Sequence, residues 1–370
     1  MSKGKRLTST VTSDSTVDLR IEEFEVPTPG PDEVLIAVEA SPINPSDLGL
    51  LLAGAHPSTA SESENGLTLS LPGGAIDALT ARIDQAMPVG NEGAGVVIDT
   101  GSEEQARVLR GQVVAVLAGG MYATHRIVKA RDCLVLQEGT QAIDAASCFV
   151  NPLTALGMTE TMRLEGHSAL IHTAAASNLG QMLNRICIDD DIALVNVVRR
   201  DEQVELLKSQ GAKYVVDSSS PNFASELVKA ITTTGATLGF DAIGGGELQT
   251  QILHAMETAA SSSDGEYSRY GSTTHKQLYI YGGLDRGPTQ LIRNYGMAWG
   301  VGGWLLPNFM AKIGIERSQE LRTRVATELT TTFASSYSHK LSLESVLDVD
   351  AMSAYSQMST QGKSLVCPQP

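Results

Sequence analysis

Residues after Asn151 alternate short apolar runs with helical segments, and this alternation constrains the fold more than any other feature of the chain. There are five such runs, and a segment with helical spacing follows each of the first four. In chain order they are SALIHTA, IALVNVV, YVVDSS, ATLGFDAIGGG and QLYIYGGL. Strands that are apolar throughout and separated by helices are typical of a parallel sheet covered on both faces. The sequence therefore predicts a doubly wound α/β domain.

The first 150 residues follow a different pattern. Segments 18–26 and 33–40 alternate apolar with polar side chains, as half-buried strands do, and further short strands punctuated by glycine follow them. We predict a mainly β domain, a small barrel. Segment 57–86 reads as a Ser/Gly-rich insertion with a helical segment at its end. Segment 258–275 reads as a surface loop before the fifth apolar strand.

Charge and composition exclude several classes of function. The net charge of −15 would repel a phosphate backbone, so we expect no nucleic-acid partner. The first 20 residues lack an apolar core and do not read as a signal peptide. The longest apolar-rich run, 295–311, is short for a membrane span and contains glycines and a proline, so we predict a buried, partly irregular segment and no membrane association. The four cysteines are far apart, which indicates a cytoplasmic setting without disulfides.

The turn after the first apolar strand is where a doubly wound sheet would bind the phosphates of a nucleotide, because a helix N-terminus offers free N–H groups there. The turn reads HTAAASNLGQM, with Ala175 and Ser177 where glycines are usual and Gly180 at the end of the motif. Small residues still allow a close approach of the backbone. We predict dinucleotide binding here, with Asn178 and Leu179 at the helix start, and a plain strand–helix turn is the alternative.

Arg199 and Arg200 follow the second apolar strand, where an acidic residue commonly binds the adenosine ribose hydroxyl. A guanidinium group cannot accept a hydrogen bond from a hydroxyl, but it can bind a 2′-phosphate. The helix dipole disfavours positive charge at a helix start, which favours a functional reason for the pair. We predict NADPH as the cofactor, and a solvated charge pair at a helix start is the alternative.

Several segments in a fixed order carry a resemblance to a known family. They are PGPDEVLIAVEASPINPSDL (29–48), VGNEGAGVV (89–97), VNPLTALGM (150–158), ASNLGQ (176–181), NVVRRD (196–201), FDAIGG (240–245), YIYGGL (279–284) and GKSLVCPQP (362–370). From about Val17 to Pro370 the chain resembles the zinc-free branch of the medium-chain dehydrogenase/reductase superfamily, with its quinone oxidoreductases and 2-enoyl thioester reductases. The resemblance implies a GroES-like β-barrel catalytic domain, residues 1–151 and 301–370, and a Rossmann NADPH-binding domain, residues 152–300.

Two departures from the wider superfamily bear on the chemistry. Zinc-dependent relatives have a cysteine where this chain has Asn44 to Asp47 and a histidine where it has Asn91, and the four-cysteine structural lobe is missing. Because a tetrahedral zinc site needs three or four converging ligands, we predict that no metal is bound. The enoyl reductases carry a tyrosine a few residues after NPSD. His56 is the nearest candidate here, which leaves the proton donor open.

The resemblance implies hydride transfer from nicotinamide C4 to the β-carbon of an enone, enoyl ester or quinone, a reaction that needs positioning and hydrogen-bond donors at the carbonyl oxygen. It places Asn44 and Thr154 near the nicotinamide ribose and ring; the alternatives are a strand-end asparagine and a helix-start threonine. His56 could protonate the α-carbon or stabilise the oxyanion, or be a surface histidine. Tyr122 could line the active site or belong to the barrel core.

The nicotinamide end of the cofactor is expected at the fifth strand, where Gly282 and Gly283 would let the backbone approach it, with Gly244 and Tyr281 also binding the cofactor. We predict a zinc-independent, NADPH-dependent reductase of a small-molecule substrate, a quinone or an α,β-unsaturated carbonyl compound. A 2-enoyl thioester reductase and a non-catalytic NADPH-binding sensor are the alternatives. The resemblance also implies a homodimer formed by pairing the edge strands of two cofactor-domain sheets.

Overall fold

The computed structural model describes residues 2–63, 66–264, 268–357 and 363–369. The chain divides into two compact units, one of residues 1–150 with 322–370 and one of residues 151–321. The first is rich in antiparallel strands and the second is built on a parallel sheet, so the predicted α/β class is confirmed. Residues 301–321 cluster with the second unit, although the sequence analysis groups them with the first domain.

The first unit consists mainly of strands. Its N-terminal part contains β1 (Lys3–Val11), β2 (Thr16–Glu25), β3 (Glu33–Pro42), α1 (Pro45–Leu51), β4 (Ser61–Ser63), β5 (Gly66–Ser70), α2 (Ala75–Ala78), β6 (Met87–Pro88), β7 (Glu92–Thr100), α3 (Glu104–Arg107), β8 (Val113–Leu117), β9 (His125–Lys129), β10 (Leu134–Val135) and α4 (Ala142–Ala145).

Helix α5 (Val150–Leu164) begins in the first unit and leads into the second, where strands and helices alternate. There follow β11 (Ala169–His172), α6 (Asn178–Asp189), β12 (Ala193–Val198), α7 (Asp201–Ser209), β13 (Tyr214–Asp217), α8 (Phe223–Thr234), β14 (Leu238–Asp241), β15 (Gly244–Gly246), α9 (Leu248–Asp264), β16 (Lys276–Ile280), β17 (Asp285–Thr289), β18 (Trp299–Gly303) and α10 (Leu306–Thr327). The chain then returns to the first unit with β19 (Tyr337–Leu341), α11 (Val349–Ser356) and β20 (Lys363–Val366).

Two sheets organise the first unit. One has the strand order β4-β5-β2-β1-β6, and the other has the order β10-β8-β7-β3-β20-β19 with β9 also paired to β3. Leu7, Leu19 and Leu69 alternate with polar neighbours along their strands and are fully buried in one hydrophobic core. Alternation with a period of two directs every second side chain inward, which is why this part of the sequence predicts strands.

Segment 57–86 does not interrupt the first unit as an insertion would. It contributes β4 and β5, which extend a sheet because β5 pairs with β2 in the register Leu19↔Leu67. Leu67 and Leu69 reach the core from β5, so the segment has an apolar alternation that its serines conceal. The predicted helical segment at its end is confirmed only as the short α2 and a single 3₁₀ turn, residues 80–82.

The second unit has the doubly wound architecture. Its parallel sheet has the order β13-β12-β11-β14-β16-β18, with β11 between β12 and β14 at the point where the strand order reverses. Ile171, Val195 and Leu278, on β11, β12 and β16 of this sheet, are fully buried. A ligand site in such a sheet lies outside the carboxyl ends of the strands at this reversal.

Segment 258–275 is only in part the predicted surface loop. Helix α9 continues to Asp264, because Ala259 packs on the core and the other small residues tolerate a helix; residues 265–267 lie outside the described part of the chain. Beyond them, Ser272 donates to the Glu257 carboxylate of α9, and the fully buried Lys276 ammonium lies 2.5 Å from the same carboxylate. This ion pair fastens the segment to α9 and to the start of β16.

Segment 295–311 was predicted to be buried and partly irregular, and this is wrong for much of it. Residues 299–303 form the edge strand β18, whose side chains are half-buried or exposed, and Met297 and Leu305 are 75% and 58% exposed. The glycines of the WGVGG stretch fit an extended strand here, since a side chain at Gly300 would meet the side chain of Gln277. Within the residues that the structure describes, we find no helix with the length and apolar character needed to span a bilayer.

Candidate functional site

The turn between β11 and α6 is tightly packed at the carboxyl end of the parallel sheet. Ser177 caps α6 by accepting a hydrogen bond from the backbone N–H of Gly180, 3.1 Å away, and Ala174 has a positive φ of 49°. A Cβ on Gly180 would lie 2.2 Å from the carbonyl oxygen of Ala175. The turn therefore requires glycine at position 180. Its other small residues, Ala175 and Ser177, place no large side chain at the N-terminus of α6, where the helix dipole favours a phosphate.

The buried carboxylate of Asp241, at the end of β14, ties three segments of this edge together. It accepts hydrogen bonds from the Thr173 hydroxyl at 2.6 Å, from the backbone N–H of Gly244 at 2.9 Å and from the Gln249 amide at 2.6 Å. The Thr173 hydroxyl in turn accepts from the backbone N–H of Ala242 at 2.8 Å. Asp241 lies in the FDAIGG segment but was not among the predicted site residues. An acid at the end of a buried strand was the signal available.

The predicted cofactor glycines lie at the same edge. Gly244 has a φ of 86°, and a Cβ there would lie 3.0 Å from the carbonyl oxygen of Gly282. A Cβ on Gly282 would lie 2.7 Å from the carbonyl oxygen of Ala242, whereas one on Gly283 would have no described atom within 4 Å. Gly244 and Gly282 thus let two backbone segments pack together, and Gly283 leaves space beside them.

His172 and Tyr281 form a pair at the ends of β11 and β16. The His172 Nε2 atom lies 2.7 Å from the Tyr281 hydroxyl, and the two rings are stacked with their centroids 5.8 Å apart. His172 is fully buried, and burial lowers its pKa to about 3. Burial, and then the nearby Asp241 carboxylate, raise the pKa of Tyr281. Both side chains are therefore neutral at physiological pH, so this pair adds no charge to the edge.

Arg199 and Arg200 follow β12 and are exposed. The backbone N–H of Arg199 donates to the Gln203 side chain at 3.1 Å, and neither guanidinium group forms an ion pair with any residue that the structure describes. Arg200 is the extended N-cap residue of α7, whose first turn carries Asp201 and Glu202. These acids offset the unfavourable interaction of the arginines with the helix dipole. Two guanidinium groups without an ion pair to the described residues therefore lie at the carboxyl end of the sheet.

In the first unit, Asn44 begins α1 and is held by two buried carboxylates. Its backbone N–H donates to Asp47 at 2.8 Å, and its side-chain Nδ2 donates to Glu92 at 2.8 Å. Asp47 also accepts from the backbone N–H of Asn91 at 2.8 Å. Burial, with a smaller contribution from the Glu92 charge, raises the pKa of Asp47 to about 7. Asn44 is thus fixed in both backbone and side chain.

Glu92, the first residue of β7, is fully buried. Its Oε1 atom accepts from Asn44, and its Oε2 atom accepts from the backbone N–H groups of Phe149 and Val150 at 2.8 and 2.9 Å. The Lys363 ammonium donates to the Ser147 hydroxyl. Burial lowers the pKa of Lys363, and the charges of Glu92 and Asp47 oppose this shift only in part. Glu92 was not among the predicted site residues, although in GNEG it directly follows Asn91, the position of the zinc-ligand histidine in zinc-dependent relatives.

The other predicted catalytic residues are dispersed. Thr154 lies buried on α5 in the second unit. Tyr122 is fully buried in the core of the first unit and donates to the carbonyl oxygen of Pro42 at 3.1 Å. His56 is exposed at the start of a 3₁₀ turn, where its Nδ1 atom lies 2.7 Å from the Ser58 hydroxyl. These positions favour the barrel-core alternative for Tyr122 and the surface alternative for His56. In the described ranges, no three His, Cys, Asp or Glu side chains converge as metal ligands would.

Comparison with known proteins gives relatives but no matching family model. The chain is 28% identical over 207 residues to the mitochondrial enoyl-[acyl-carrier-protein] reductase of Xenopus tropicalis, a match that covers 54% of this chain and 51% of that protein. It is 26% identical over 285 residues to the NADPH quinone oxidoreductase of Kluyveromyces marxianus, which covers 74% and 67%. The chain thus spans about half the length of the enoyl reductase that it matches.

Solved structures that resemble the whole chain include the following one. It is a protein from Mesorhizobium loti provisionally assigned as an NADPH:quinone reductase, with 25% identity and a TM-score of 0.74. The similarity covers 100% of this chain and 99% of the other, so it includes both units.

The buried His172 predicts a measurable pH dependence of stability. Its folded pKa of about 3 is below the unfolded value, so its contribution is fully present above the unfolded pKa of about 6.5 and is lost as the pH falls towards 3. We expect the free energy of unfolding, measured with urea between pH 7.5 and 4.5, to fall less steeply in His172→Gln than in the wild type. The difference in slope is at most about 1.4 kcal/mol per pH unit. The exposed His254→Gln is the control, and equal slopes for wild type and His172→Gln would contradict the prediction.

Proposed function

Because the chain belongs to the zinc-free branch of the medium-chain dehydrogenase/reductase superfamily, we propose that it is a zinc-independent oxidoreductase that uses NADPH. Its substrate is a quinone or an α,β-unsaturated carbonyl compound. The proposal rests on the carboxyl end of the parallel sheet. There the turn that requires Gly180 follows β11, and Arg199 and Arg200 follow the neighbouring strand β12.

The residues at this edge fit a dinucleotide phosphate. The turn from Thr173 to Ser177 has no large side chain, and the N-terminus of α6 favours negative charge. Arg199 and Arg200 can donate several hydrogen bonds to a 2′-phosphate, which an acidic residue in their place would repel. These features support NADPH over NADH.

At the other end of the edge, Gly282 and Gly283 follow β16 without side chains that would block a nicotinamide ring. NADPH, when bound, supplies the hydride for the reaction. The protein's part is to position the acceptor carbon and to stabilise the negative charge that develops on the carbonyl oxygen. We propose Thr154 for the nicotinamide ring and Asn44 for its ribose, as the family resemblance implies.

A 2-enoyl thioester reductase is the second candidate, since a mitochondrial enoyl reductase is among the relatives. The segment from Pro45 to Ala60 contains no tyrosine, whereas the resemblance implies one there in the enoyl reductases. We therefore place quinones and simple enones first. A small-molecule substrate and a cytoplasmic location are parts of the same proposal, and the latter agrees with the free state of Cys133, Cys148, Cys187 and Cys367.

Turnover measurements test the proposed activity. The purified protein is mixed with NADPH and a panel of quinones, enones and enoyl thioesters, and the loss of absorbance by the reduced cofactor is followed. We expect turnover of a quinone or an enone, with the rate unchanged after exhaustive chelation. Turnover of enoyl thioesters alone would favour the second candidate. Tight NADPH binding without turnover of any compound would instead indicate a non-catalytic sensor.

The arginine pair gives a prediction about cofactor preference. Each charge-assisted contact to the 2′-phosphate is worth about 1.5–3 kcal/mol, so Arg199→Ala or Arg200→Ala should weaken NADPH binding about 10- to 150-fold. NADH lacks this phosphate, so its affinity should change little. Lys208→Ala, on the same helix and exposed, is the control. An Arg199→Ala, Arg200→Ala double variant that folds and keeps the wild-type ratio of NADPH to NADH affinity would refute the assignment.

The edge strand β18 supports the proposed homodimer. Among the described strands it pairs with β16 alone, so its other edge is open. Lys276 donates its backbone N–H to Ala298, and Trp304 donates to Ile280, both at 3.0 Å. Because alternate residues of a parallel strand face the same neighbour, the N–H of Val301 points to the open edge. The exposed apolar side chains of Met297 and Leu305 flank this edge.

Proline at position 301 tests the dimer without disturbing the sheet within one subunit. Val301→Pro removes one backbone N–H from the open edge of β18. It removes no hydrogen bond between β16 and β18, because the N–H of Val301 does not face β16. We expect the wild type to sediment as a dimer at micromolar concentration and Val301→Pro to sediment as a folded monomer. A monomeric wild type, or a variant that remains dimeric with unchanged affinity, would argue against pairing through β18.

A further inference from the structure

A cavity of about 290 Å³ lies among the strands of the first unit, and no predicted site residue lines it. Small-molecule sites have volumes of about 300–1,000 Å³, so the cavity is close to the lower end of their range. Its walls include Arg6 of β1, Phe24 of β2, Pro88 of β6 and two consecutive residues of β9, His125 and Arg126. We call this cavity the arginine pocket.

Backbone pairing brings the two arginines to the same pocket. The segment before β9 pairs with β1 through an antiparallel bridge between Arg6 and Ala123, three positions before Arg126. Arg126 itself pairs with Ile36 of β3. The strands of the first unit thus place two guanidinium groups, from residues far apart in the sequence, on the wall of one cavity.

The positive charge of Arg6 is compensated, whereas that of Arg126 is not. The Nε atom and one amino group of Arg6 donate to Glu22 at 3.2 and 3.1 Å, and the guanidinium carbon lies 5.5 Å from the centre of the Phe24 ring. Within the described ranges, the Arg126 side chain forms one hydrogen bond, to the carbonyl oxygen of Ala118 at 3.3 Å, and no ion pair. Its Nε atom is buried and has no hydrogen-bond partner there.

The charged groups around the pocket leave it with one uncompensated positive charge. Burial, and then the charge of Arg6, lower the pKa of Arg126, but an arginine remains protonated at physiological pH. His125 adds no charge near neutral pH, because burial lowers its pKa from the usual value. Among the described residues that line the pocket, Glu25 alone is acidic, and its exposed carboxylate forms no ion pair with Arg126. A charge partly removed from water is normally paired, so Arg126 favours an anionic ligand.

Gly120 keeps a side chain away from this guanidinium group. The residue has a φ of 65°, in the left-handed region that favours glycine. A Cβ there would lie 3.0 Å from the Cβ of Pro88 and 3.5 Å from the Cζ atom of Arg126. Any larger side chain at position 120 would therefore occupy space beside the charge, on the wall of the pocket.

The shape and polarity of the walls indicate which kind of anion fits. A guanidinium group is planar and matches the two oxygens of a carboxylate. The walls beyond it are largely apolar and include the side chains of Phe24, Leu35 and Ile127. Contact with such walls stabilises a ligand that has apolar atoms to bury, which inorganic phosphate lacks. A single carboxylate on an apolar body therefore fits the pocket best.

We propose that the arginine pocket is a binding site for a small organic carboxylate with an apolar body, and that Arg126 holds the carboxylate group. All the residues that line the pocket belong to the first unit. The inference goes beyond the proposed function and does not rest on it, so a failure to bind NADPH or to turn over a quinone would leave it standing.

Calorimetric titration of the full chain with benzoate tests the proposal, and benzamide, which has a similar shape but no charge, is the control ligand. We expect benzoate to bind with a Kd of about 1 mM or below, and benzamide and inorganic phosphate to bind at least about 10-fold more weakly. The net charge of −15 disfavours nonspecific binding of an anion elsewhere on the chain. Absence of benzoate binding up to about 10 mM, or equal affinity for benzoate and either of the other two compounds, would overturn the proposal.

Substitutions at two positions locate the bound carboxylate. Arg126→Gln removes the charge and keeps a polar side chain, so the affinity for benzoate should fall about 10-fold or more. Glu25→Lys reverses the charge at an exposed position of the rim and should raise that affinity about 3-fold, whether or not Arg126→Gln folds. Arg107→Gln, at an exposed arginine of α3, is the matched control and should bind benzoate as the wild type does. Wild-type affinity in a folded Arg126→Gln variant, or unchanged or weaker binding in Glu25→Lys, would contradict the assignment.

The thermal midpoint of unfolding distinguishes a binding role of Arg126 from a structural one. Because its charge is uncompensated and is repelled by Arg6, Arg126→Gln without ligand should unfold at no lower temperature than the wild type. Saturating benzoate should raise the midpoint of the wild type but not that of the variant. A variant that is less stable than the wild type, and that benzoate stabilises to the same extent, would show that Arg126 serves the fold and not a ligand.

Discussion

Two buried carboxylates, each of which accepts several hydrogen bonds, hold the two candidate regions of this protein in shape. Glu92 accepts from the Asn44 amide and from two backbone N–H groups in the first unit. Asp241 accepts from a hydroxyl, a backbone N–H and a side-chain amide in the second. An ionised carboxylate is very costly to bury unless its acceptors are satisfied, so each donor is held in place as firmly as the acid itself. The loops at these strand ends thereby gain a fixed geometry.

The sequence predicted the architecture well wherever burial produces a regular pattern. The five apolar runs after Asn151 all became strands of the parallel sheet, because a strand covered on both faces must be apolar throughout. The prediction failed where small residues hide the pattern. Leu67 and Leu69 alternate into the core from a serine-rich segment, and Ala259 packs on the core from a stretch that resembles a loop. Trp299 to Gly303 was read as buried because apolar composition does not distinguish a core from an open sheet edge.

The candidate site was less predictable than the fold, because its geometry depends on contacts between distant residues. The turn at Gly180 and the arginines at 199 and 200 follow from local rules about strand ends, and both were identified. Glu92 and Asn44 are 48 positions apart, and no spacing rule relates them. Asp241 reaches Thr173 across 68 positions. A sequence pattern also cannot tell that Tyr122 is fully buried while His56 is exposed, since both lie in short segments between glycines and strands.

The short strand β4 makes one margin of the first sheet a poor site for pairing with another chain. It ends the first sheet with three polar residues, Ser61 to Ser63, of which the first two are exposed. A brief, hydrophilic final strand offers an approaching chain few apolar contacts and little length to pair with. The edge at β18 offers the opposite: five residues of regular backbone with exposed methionine and leucine nearby. These two sheet margins therefore differ, since the one at β4 discourages self-association and the one at β18 permits it.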